Sequence, residues 1–600
     1  MRQFLKFTLA SMLGTLLIGG VLILIFIVAL TASLASSLSF QSGKPTAVKD
    51  HSVLHMTLEQ EVVDRGRSDE LMLDFGPFKG MGRLGLDQIL DNLEKAKRDD
   101  RVKGIYLDLG MMNMGMGAMK EVRDKLIEFR EESGKPVVAY ADWYTQGTYY
   151  LASAADEVYL QPQGDLDFRG LRSEYMFFKG MFDKLDIDIQ FIRGSNNQFK
   201  SFGEAFTEEG MSEANREQNR VLLGSLWRTY LTAISEARQV DTAQLDAIAE
   251  EMRIQKAGDA VTLGLVDGVK YRDEVLDLMK ERMGVDTDDD LELASFSKYT
   301  RAVVRKDGTA EGERGKVAVV FAQGDIVDGD GGDDMIGSHP LSAAIREARE
   351  DSTIKAIVLR VNSPGGSGLA SDVIWREVDL ARQVKPVVVS MGDLAASGGY
   401  YISCAAHKIY AEPTTITGSI GVFGIIPNMQ GFFKNKLGIT FDGEKTNTYA
   451  DMMTTSRPLT ADEKDMIQGY IDRFYDTFKQ RVADGRGMSV EAVDAVGQGR
   501  VWTGTDAKAR GLVDELGGLE DAIAAAADMA GIGDPKVVKL PEQKEFFQQL
   551  MEELNTQTRT WVASEWLGED VELLKDLQLA RRAKDMTGVQ ARMPYVLRVH

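Results

Sequence analysis

The chain repeats itself, and no other feature limits its fold as strongly. Val53–Asp64 (VLHMTLEQEVVD) matches Val317–Asp328 (VAVVFAQGDIVD), in each case an apolar run followed by an acidic turn. Arg101–Leu109 matches Thr353–Val361, and Lys135–Pro162 matches Lys385–Pro413. The offset falls from 264 residues (Val53 to Val317) to 251 (Tyr149 to Tyr400), so the first copy carries an insertion, expected around Leu71 to Leu84. Each copy alternates short β-branched runs, expected as strands at 52–58, 103–109 and 136–141 and again at 316–321, 355–361 and 386–391, with helix-period segments. The segments are Leu86–Lys97 and Met119–Glu131, then Leu341–Glu350 and Ser371–Gln383. Strands alternating with helices imply an α/β fold with a mainly parallel sheet, here in two tandem copies.

Six hundred residues exceed what one hydrophobic core supports. The copies are expected at 46–283 and 315–541, each ending in a helical tail, 207–283 and 456–530. Between them, 284–314 is charged and poor in large apolar residues apart from Leu291 to Tyr299, and it is expected as a linker. A polar extension follows, 542–600.

Residues 1–45 are expected as a membrane anchor. No charged residue lies between Lys6 and Lys44, and Met12 to Leu30 is nearly all apolar. A helix of about 19 to 20 residues rising ~1.5 Å each spans a hydrocarbon core of roughly 30 Å. Arg2 and Lys6 precede the run, which by the positive-inside rule keeps the N-terminus cytoplasmic and the rest of the chain outside. The alternative is a cleaved signal peptide, since Ala32 to Ser37 is rich in small residues, but the apolar run is long for that. The net charge of −22 argues against nucleic acid as a partner. Cys404 is the single cysteine, and the five histidines (His51, His55, His339, His407, His600) show no ligand spacing. Neither a disulfide framework nor a metal site is expected, and no cofactor.

Chemistry concentrates in the second copy. Val387–Val389 forms an apolar strand, Gly392-Asp393 breaks it, and Ala395, Ala396, Gly398 and Gly399 surround Ser397 with small side chains before a helix begins. A serine at a helix start meets free backbone N–H groups, and small neighbours let a substrate carbonyl approach. The first copy has Gln146 opposite Ser397, and Gly110–Gly115 opposite Asn362-Ser-Pro-Gly-Gly-Ser367. A Pro-Gly-Gly turn after a buried strand can aim N–H groups into a crevice at the carboxyl end of the sheet. As general bases the histidines are poorly placed: His407 is ten residues further along, and His339 lies in a Gly-Ser-His-Pro loop. Lysine remains, because Ser–Lys pairs are a known solution when burial lowers the lysine pKa from about 10.4.

Asn362–Ser367, Gly392–Ser403 and Thr417–Gly424 (TGSIGVFG), in this order, closely resemble the signal peptide peptidase A (protease IV) family. The tandem copies and single anchor resemble its long form. The likeness covers nearly the whole chain from the anchor to about residue 540. It implies two crotonase/Clp-protease-type domains and a serine endopeptidase with a Ser–Lys dyad that degrades cleaved signal peptides. The implied nucleophile is Ser397. The implied base is Lys200 in the first copy, in Phe199-Lys-Ser-Phe202 after Gly194-Ser-Asn-Asn-Gln198, with Glu204 and Phe206 also fitting the pattern. Ser419 would hydrogen-bond the lysine, and the N–H groups of Gly398 and of Gly365 or Gly366 would form the oxyanion hole. The resemblance further implies a homotetramer in the inner membrane, catalytic domains facing the periplasm, acting on extended apolar peptides. Opposite Lys200 the second copy reads Thr448-Tyr-Ala-Asp451, so each chain is expected to build one site from both copies, its lysine and serine meeting within the chain. The rival readings are a crotonase-type acyl-CoA enzyme, disfavoured by the anchor, and a non-catalytic membrane scaffold of the same fold.

Overall fold

Runs such as Val317-Ala-Val-Val320 and Val387-Val-Val389 carry no polar alternation, so they can be strands only where both sheet faces are covered. The computed structural model describes residues 14, 18–19, 46–66, 83–285, 290–304, 315–332, 334–543 and 590–593, and in it these runs are at most 1% exposed. The expected anchor, residues 1–45, lies outside the described residues except Gly14, Ile18 and Gly19. Among the described residues no helix is long and apolar enough to cross a membrane.

The first half runs through β1 (Ser52–Met56), β2 (Val102–Asp108), β3 (Val137–Tyr144) and β4 (Glu157–Leu166). After these, β5 (Asp188–Arg193) leaves, and β6 (Gly268–Val269) and β7 (Leu293–Ser295) return. The sheet order is β6-β4-β3-β2-β1-β7, all parallel. Helices α1 (Leu86–Arg98) and α2 (Met116–Ser133) pack on one face with α3 (Gln146–Ala152), and α4 (Glu213–Arg238) begins the helical tail.

The second half repeats the plan. Its strands are β8 (Lys316–Gln323), β9 (Asp325–Val327), β10 (Met335–Gly337), β11 (Ile354–Ser363), β12 (Gly365–Ser367), β13 (Val387–Ala396), β14 (Ile416–Gly418), β15 (Phe423–Asn428), β16 (Val501–Thr503) and β17 (Lys536–Leu540). The main sheet runs β16-β14-β13-β11-β8-β17, parallel except where β16 meets β14. Helices α5 (Ser338–Glu350), α6 (Gly368–Arg382) and the short α7 (Gly398–Ser403) cover it.

A third sheet joins the halves, in the order β10-β9-β12-β18-β15-β5, with β18 formed by Gln590–Arg592. Here β5 of the first half pairs antiparallel with β15 along six residues, from Arg193 on Phe423 to Asp188 on Asn428. The contact between halves is also ionic. Arg360 on β11, fully buried, donates to Asp64 at 2.7 Å and Glu121 at 2.6 Å, both from the first half, and to Ser390 Oγ at 2.8 Å. Burial opposes its charge, but the two carboxylates outweigh it and raise the guanidinium pKa.

Three expectations differ from the structure. Residues 290–304, expected in a linker, supply β7, which pairs with β1 as β17 pairs with β8. Each copy thus closes its sheet edge with a strand after its helical tail, and the apolar run at Leu291 to Tyr299 was the sign of it. Gly392-Asp393 does not end the strand: β13 continues to Ala396, exchanging the neighbour Lys408–Ala411 for β14 across this point. Residues 590–593, in the expected polar extension, are buried in the third sheet.

Candidate active site

β13 delivers Ser397. Its apolar residues pin it in the centre of the sheet, and the chain turns sharply at the serine, which adopts φ 56°, ψ −112°. A non-glycine residue with positive φ costs about 1–3 kcal/mol and persists only where its surroundings hold it there. Two backbone bonds do so: Ser397 N–H donates to the Gly418 carbonyl at 2.8 Å, and the Ser397 carbonyl accepts from Tyr401 N–H at 2.8 Å. Ser397 is the N-cap of α7, with Gly398 first in the helix.

Lys200 arrives from the other half. β5, stitched to β15, ends at Arg193, and the loop beyond folds back so that Lys200 N–H donates to the Asn197 carbonyl at 3.1 Å. Gln218 on α4 holds this loop, donating to the Phe199 carbonyl at 3.1 Å and Ser201 Oγ at 3.2 Å while accepting from Val501 N–H at 3.4 Å. Gly499 presses on the lysine from the opposite side, at φ 80°, where an added Cβ would lie 2.6 Å from Lys200 Cβ. Only glycine accepts both that dihedral angle and that approach.

The side-chain nitrogen of Lys200 (Nζ) lies 2.8 Å from Ser397 Oγ, 2.9 Å from Ser419 Oγ and 3.0 Å from the Ser419 carbonyl oxygen. All three residues are 0% exposed. No carboxylate is among these partners, so no opposite charge offsets the loss of hydration, and burial pushes the Lys200 pKa well below the ordinary lysine value. A neutral amine accepts a proton, so the arrangement can deprotonate the hydroxyl beside it. Ser419 has positive φ too, 50°, and its N–H donates to the Arg500 carbonyl at 2.7 Å.

The other sequence candidates fall as follows. Gly365 and Gly366 form β12 beside the start of α7; the Gly365 N–H donates to Ser363 Oγ at 3.1 Å. Glu204 does not approach Lys200; its carboxylate accepts from Ser212 and Asn215 and ties the lysine loop to the start of α4. Phe206 stacks in an aromatic cluster with Phe178, Phe202 and Phe182. His339 is exposed and pairs with Asp330. α7 ends at Ser403, and His407 beyond it accepts from Val387 N–H at 3.1 Å, its pKa lowered by burial. Neither histidine serves Ser397. In the first half Gln146 fills the matching helix start, its amide oxygen accepting from Arg169 N–H and Gly170 N–H at 2.8 Å each. Asp451, in the segment opposite Lys200, is paired with Lys445 and Arg457. Gln218 and Gly499 were missed from sequence, because a buried amide on an amphipathic helix and a lone loop glycine carry no local signal. Among the described residues no cluster of His, Cys, Asp and Glu could hold a metal ion.

An α/β protein with a buried serine hydroxyl against a buried lysine whose pKa is lowered has the makings of a serine-type peptidase, and comparison with known proteins bears this class out. The family model "Peptidase family S49" matches twice, over residues 129–286 and 379–533. "Protease 4" of Salmonella typhi is 39% identical over 456 residues, 74% of this chain and 72% of that protein. "Serine protease SPPA, chloroplastic" of Arabidopsis thaliana is 35% identical over 502 residues, 82% of this chain and 72% of that one. "Protease 4" of Haemophilus influenzae is 34% identical over 512 residues, 83% and 82% respectively. The chain belongs to peptidase family S49, among its signal peptide peptidase A members, and is a serine-type peptidase.

Proposed function

We propose that the chain is a membrane-anchored endopeptidase in which Ser397 is the nucleophile and Lys200 its general base, and that it degrades cleaved signal peptides and other extended apolar peptides. The observation that carries this reading is the 2.8 Å contact between a fully buried lysine nitrogen and the serine hydroxyl, with no carboxylate to hold the amine charged. Neutral Lys200 takes the Ser397 proton as Oγ attacks the peptide carbonyl carbon. Gly398 N–H, with Gly365 or Gly366, receives the resulting oxyanion. The lysinium then protonates the departing amine as the C–N bond breaks, leaving an acyl ester on Ser397. Water gives a proton to Lys200, attacks the ester, and releases the new carboxyl terminus while the proton returns to Oγ. Ser419 orients the lysine throughout.

Residues 1–45 serve as the anchor in this reading, and the two copies, 46–283 and 315–541, are crotonase/Clp-type domains facing the periplasm in a homotetramer. The parallel sheet flanked by helices in each half supports the domain type. A serine-directed fluorophosphonate tests the nucleophile. Labelling confined to Ser397, lost in Ser397→Ala and strongly slowed in Lys200→Met, is expected. Labelling elsewhere, or unchanged in Ser397→Ala, removes the assignment. Orientation is tested by protease accessibility in intact spheroplasts, where protection of the region beyond residue 46 would reverse it.

A further inference from the structure

Lys200 is buried between two stretches of chain, its own loop from the first half and a turn, Gln498-Gly499, from the second. Gly499 lies against the lysine backbone and Cβ, and the Gln498 carbonyl accepts from Phe199 N–H at 3.0 Å. Gln498 has a positive φ, 56°, a strained value for a non-glycine residue that persists only where contacts hold it. On the side away from the lysine, Gln498 N–H donates to the Tyr475 hydroxyl oxygen at 3.0 Å.

Tyr475 lies on α8 (Ala461–Arg486) and is buried; its own proton goes to Asp494 Oδ1 at 2.9 Å, on α9 (Val490–Val496). Burial raises the Tyr475 pKa, Gln498 N–H opposes that and Asp494 adds to it. The phenol therefore stays protonated, donating to Asp494 and leaving its oxygen to accept from Gln498. The second carboxylate oxygen of Asp494 accepts from Asn196 Nδ2 at 2.6 Å, four residues before Lys200. One carboxylate thus holds the lysine loop directly and, through one phenol, the turn that covers it. α8 grips the same loop at Asp472, which accepts from Ser195 N–H at 2.8 Å and Ser195 Oγ at 2.7 Å. The other charged groups here face other partners. Lys479 lies 3.0 Å from Asp476 and 3.5 Å from Asp494, Arg500 lies 3.0 Å from Glu217, and Glu204 is taken by Ser212 and Asn215. None of them bonds the Lys200 amine, whose pKa is lowered by burial.

We infer that Tyr475 and Asp494 are positioning residues for Lys200: they clamp the Gln498-Gly499 turn onto the lysine loop and so keep water away from the amine. The inference rests on the reading of Lys200 as general base, because only a base must be neutral to work. Without the clamp Gln498 can leave its strained φ, Gly499 withdraws, and water reaches the amine. The charged form then recovers hydration, and the lysine keeps its proton to higher pH. Activity is lost near neutral pH and regained at alkaline pH, whereas a residue that merely supports the fold lowers activity at every pH alike.

The test uses the full chain as wild type, Tyr475→Phe, Asp494→Ala, Asp494→Asn and Asn196→Ala, each also combined with Lys200→Met. Steady-state peptide hydrolysis and urea unfolding are followed over the same pH series. In Tyr475→Phe and Asp494→Ala, kcat at neutral pH should fall about tenfold with KM within about twofold, and the rising limb of kcat should move up by about one pH unit. Asp494→Asn, whose amide oxygen can still accept from Tyr475, should recover most of the loss. Asn196→Ala, at an exposed position, removes one loop contact without touching the core and should move the limb the same way by less. In unfolding, the pH at which each protein begins to gain stability over its own Lys200→Met counterpart marks the folded lysine's titration, and it should rise by the same unit. An onset that stays at the wild-type pH in all these variants overturns the clamp, and Asp494→Asn as impaired as Asp494→Ala overturns the part given to Asp494. A raised onset with an unmoved activity profile upholds the clamp and removes Lys200 as the base, so the two readings fail separately.

Discussion

Lys200→Met separates what the lysine does for catalysis from what its burial does to the fold. Methionine is unbranched, of similar length, and has no proton to accept, so the 0%-exposed site stays filled while the base is removed. Turnover of a peptide substrate should fall by about 10²–10⁴-fold or more, the range for loss of a positioned general base. Stability should move the other way. Unfolded Lys200 titrates near 10.4, whereas desolvation holds its folded pKa well below the ordinary value. Between those two values the unfolded chain binds one more proton at this site than the folded chain, so wild-type stability rises with pH by about 1.4 kcal/mol per unit. The contribution is fully present above the unfolded value and is lost as pH falls towards the folded one. Lys200→Met has no such dependence. The variant should therefore be the more stable protein at pH values below the folded Lys200 pKa, with its lead over wild type shrinking by up to about 1.4 kcal/mol per unit as pH rises from the folded towards the unfolded value. The three hydrogen bonds at the nitrogen, each worth about 1 kcal/mol net, offset part of that lead. The assay is urea unfolding of both proteins at half-unit pH intervals, beside a peptidase measurement on the same samples. A stability difference flat from pH 8 to 10 would mean Lys200 keeps its proton in the folded state, and near-normal turnover would remove it as the base.

Peptidase activity of the wild type should rise with pH until Lys200 is deprotonated and then level off; a profile falling through the same range would refute neutral-amine chemistry. Gly499→Ala forces a Cβ to within 2.6 Å of Lys200 Cβ at φ 80°, so kcat should drop at least about tenfold with little change in KM, measured by steady-state kinetics. Arg360→Leu strands the buried Asp64 and Glu121 carboxylates and should cost about 3–5 kcal/mol in urea unfolding, part of it recovered when Asp64→Asn and Glu121→Gln are added. Lys200→Ala and Ser397→Ala proteins mixed under subunit exchange should stay inactive, since the two residues meet within one chain; recovered activity would place the pairing between chains.

Local pattern was enough for the α/β class, the duplication and most strands, because an apolar β-branched run between turn residues has few alternatives to a buried parallel strand. β8 (Lys316–Gln323) and β13 (Val387–Ala396) begin where such runs begin. The small-residue setting of Ser397 was legible for the same reason, since crowding at a strand–helix turn is written in adjacent positions. Lys200 was visible only through family resemblance: nothing next to it in sequence makes it unlike a solvated lysine. Its burial is made by β5 crossing to β15, by Gln218 from α4, and by Gly499 nearly 300 residues away. The same holds for β7 inside an expected linker and for Gln590–Met593, whose short polar-looking segment becomes a strand only because two foreign edges wait for it. Sequence fixes what neighbouring residues do to one another; a lowered lysine pKa and a filled strand gap depend on which distant surfaces exclude water together, and only the tertiary structure decides that.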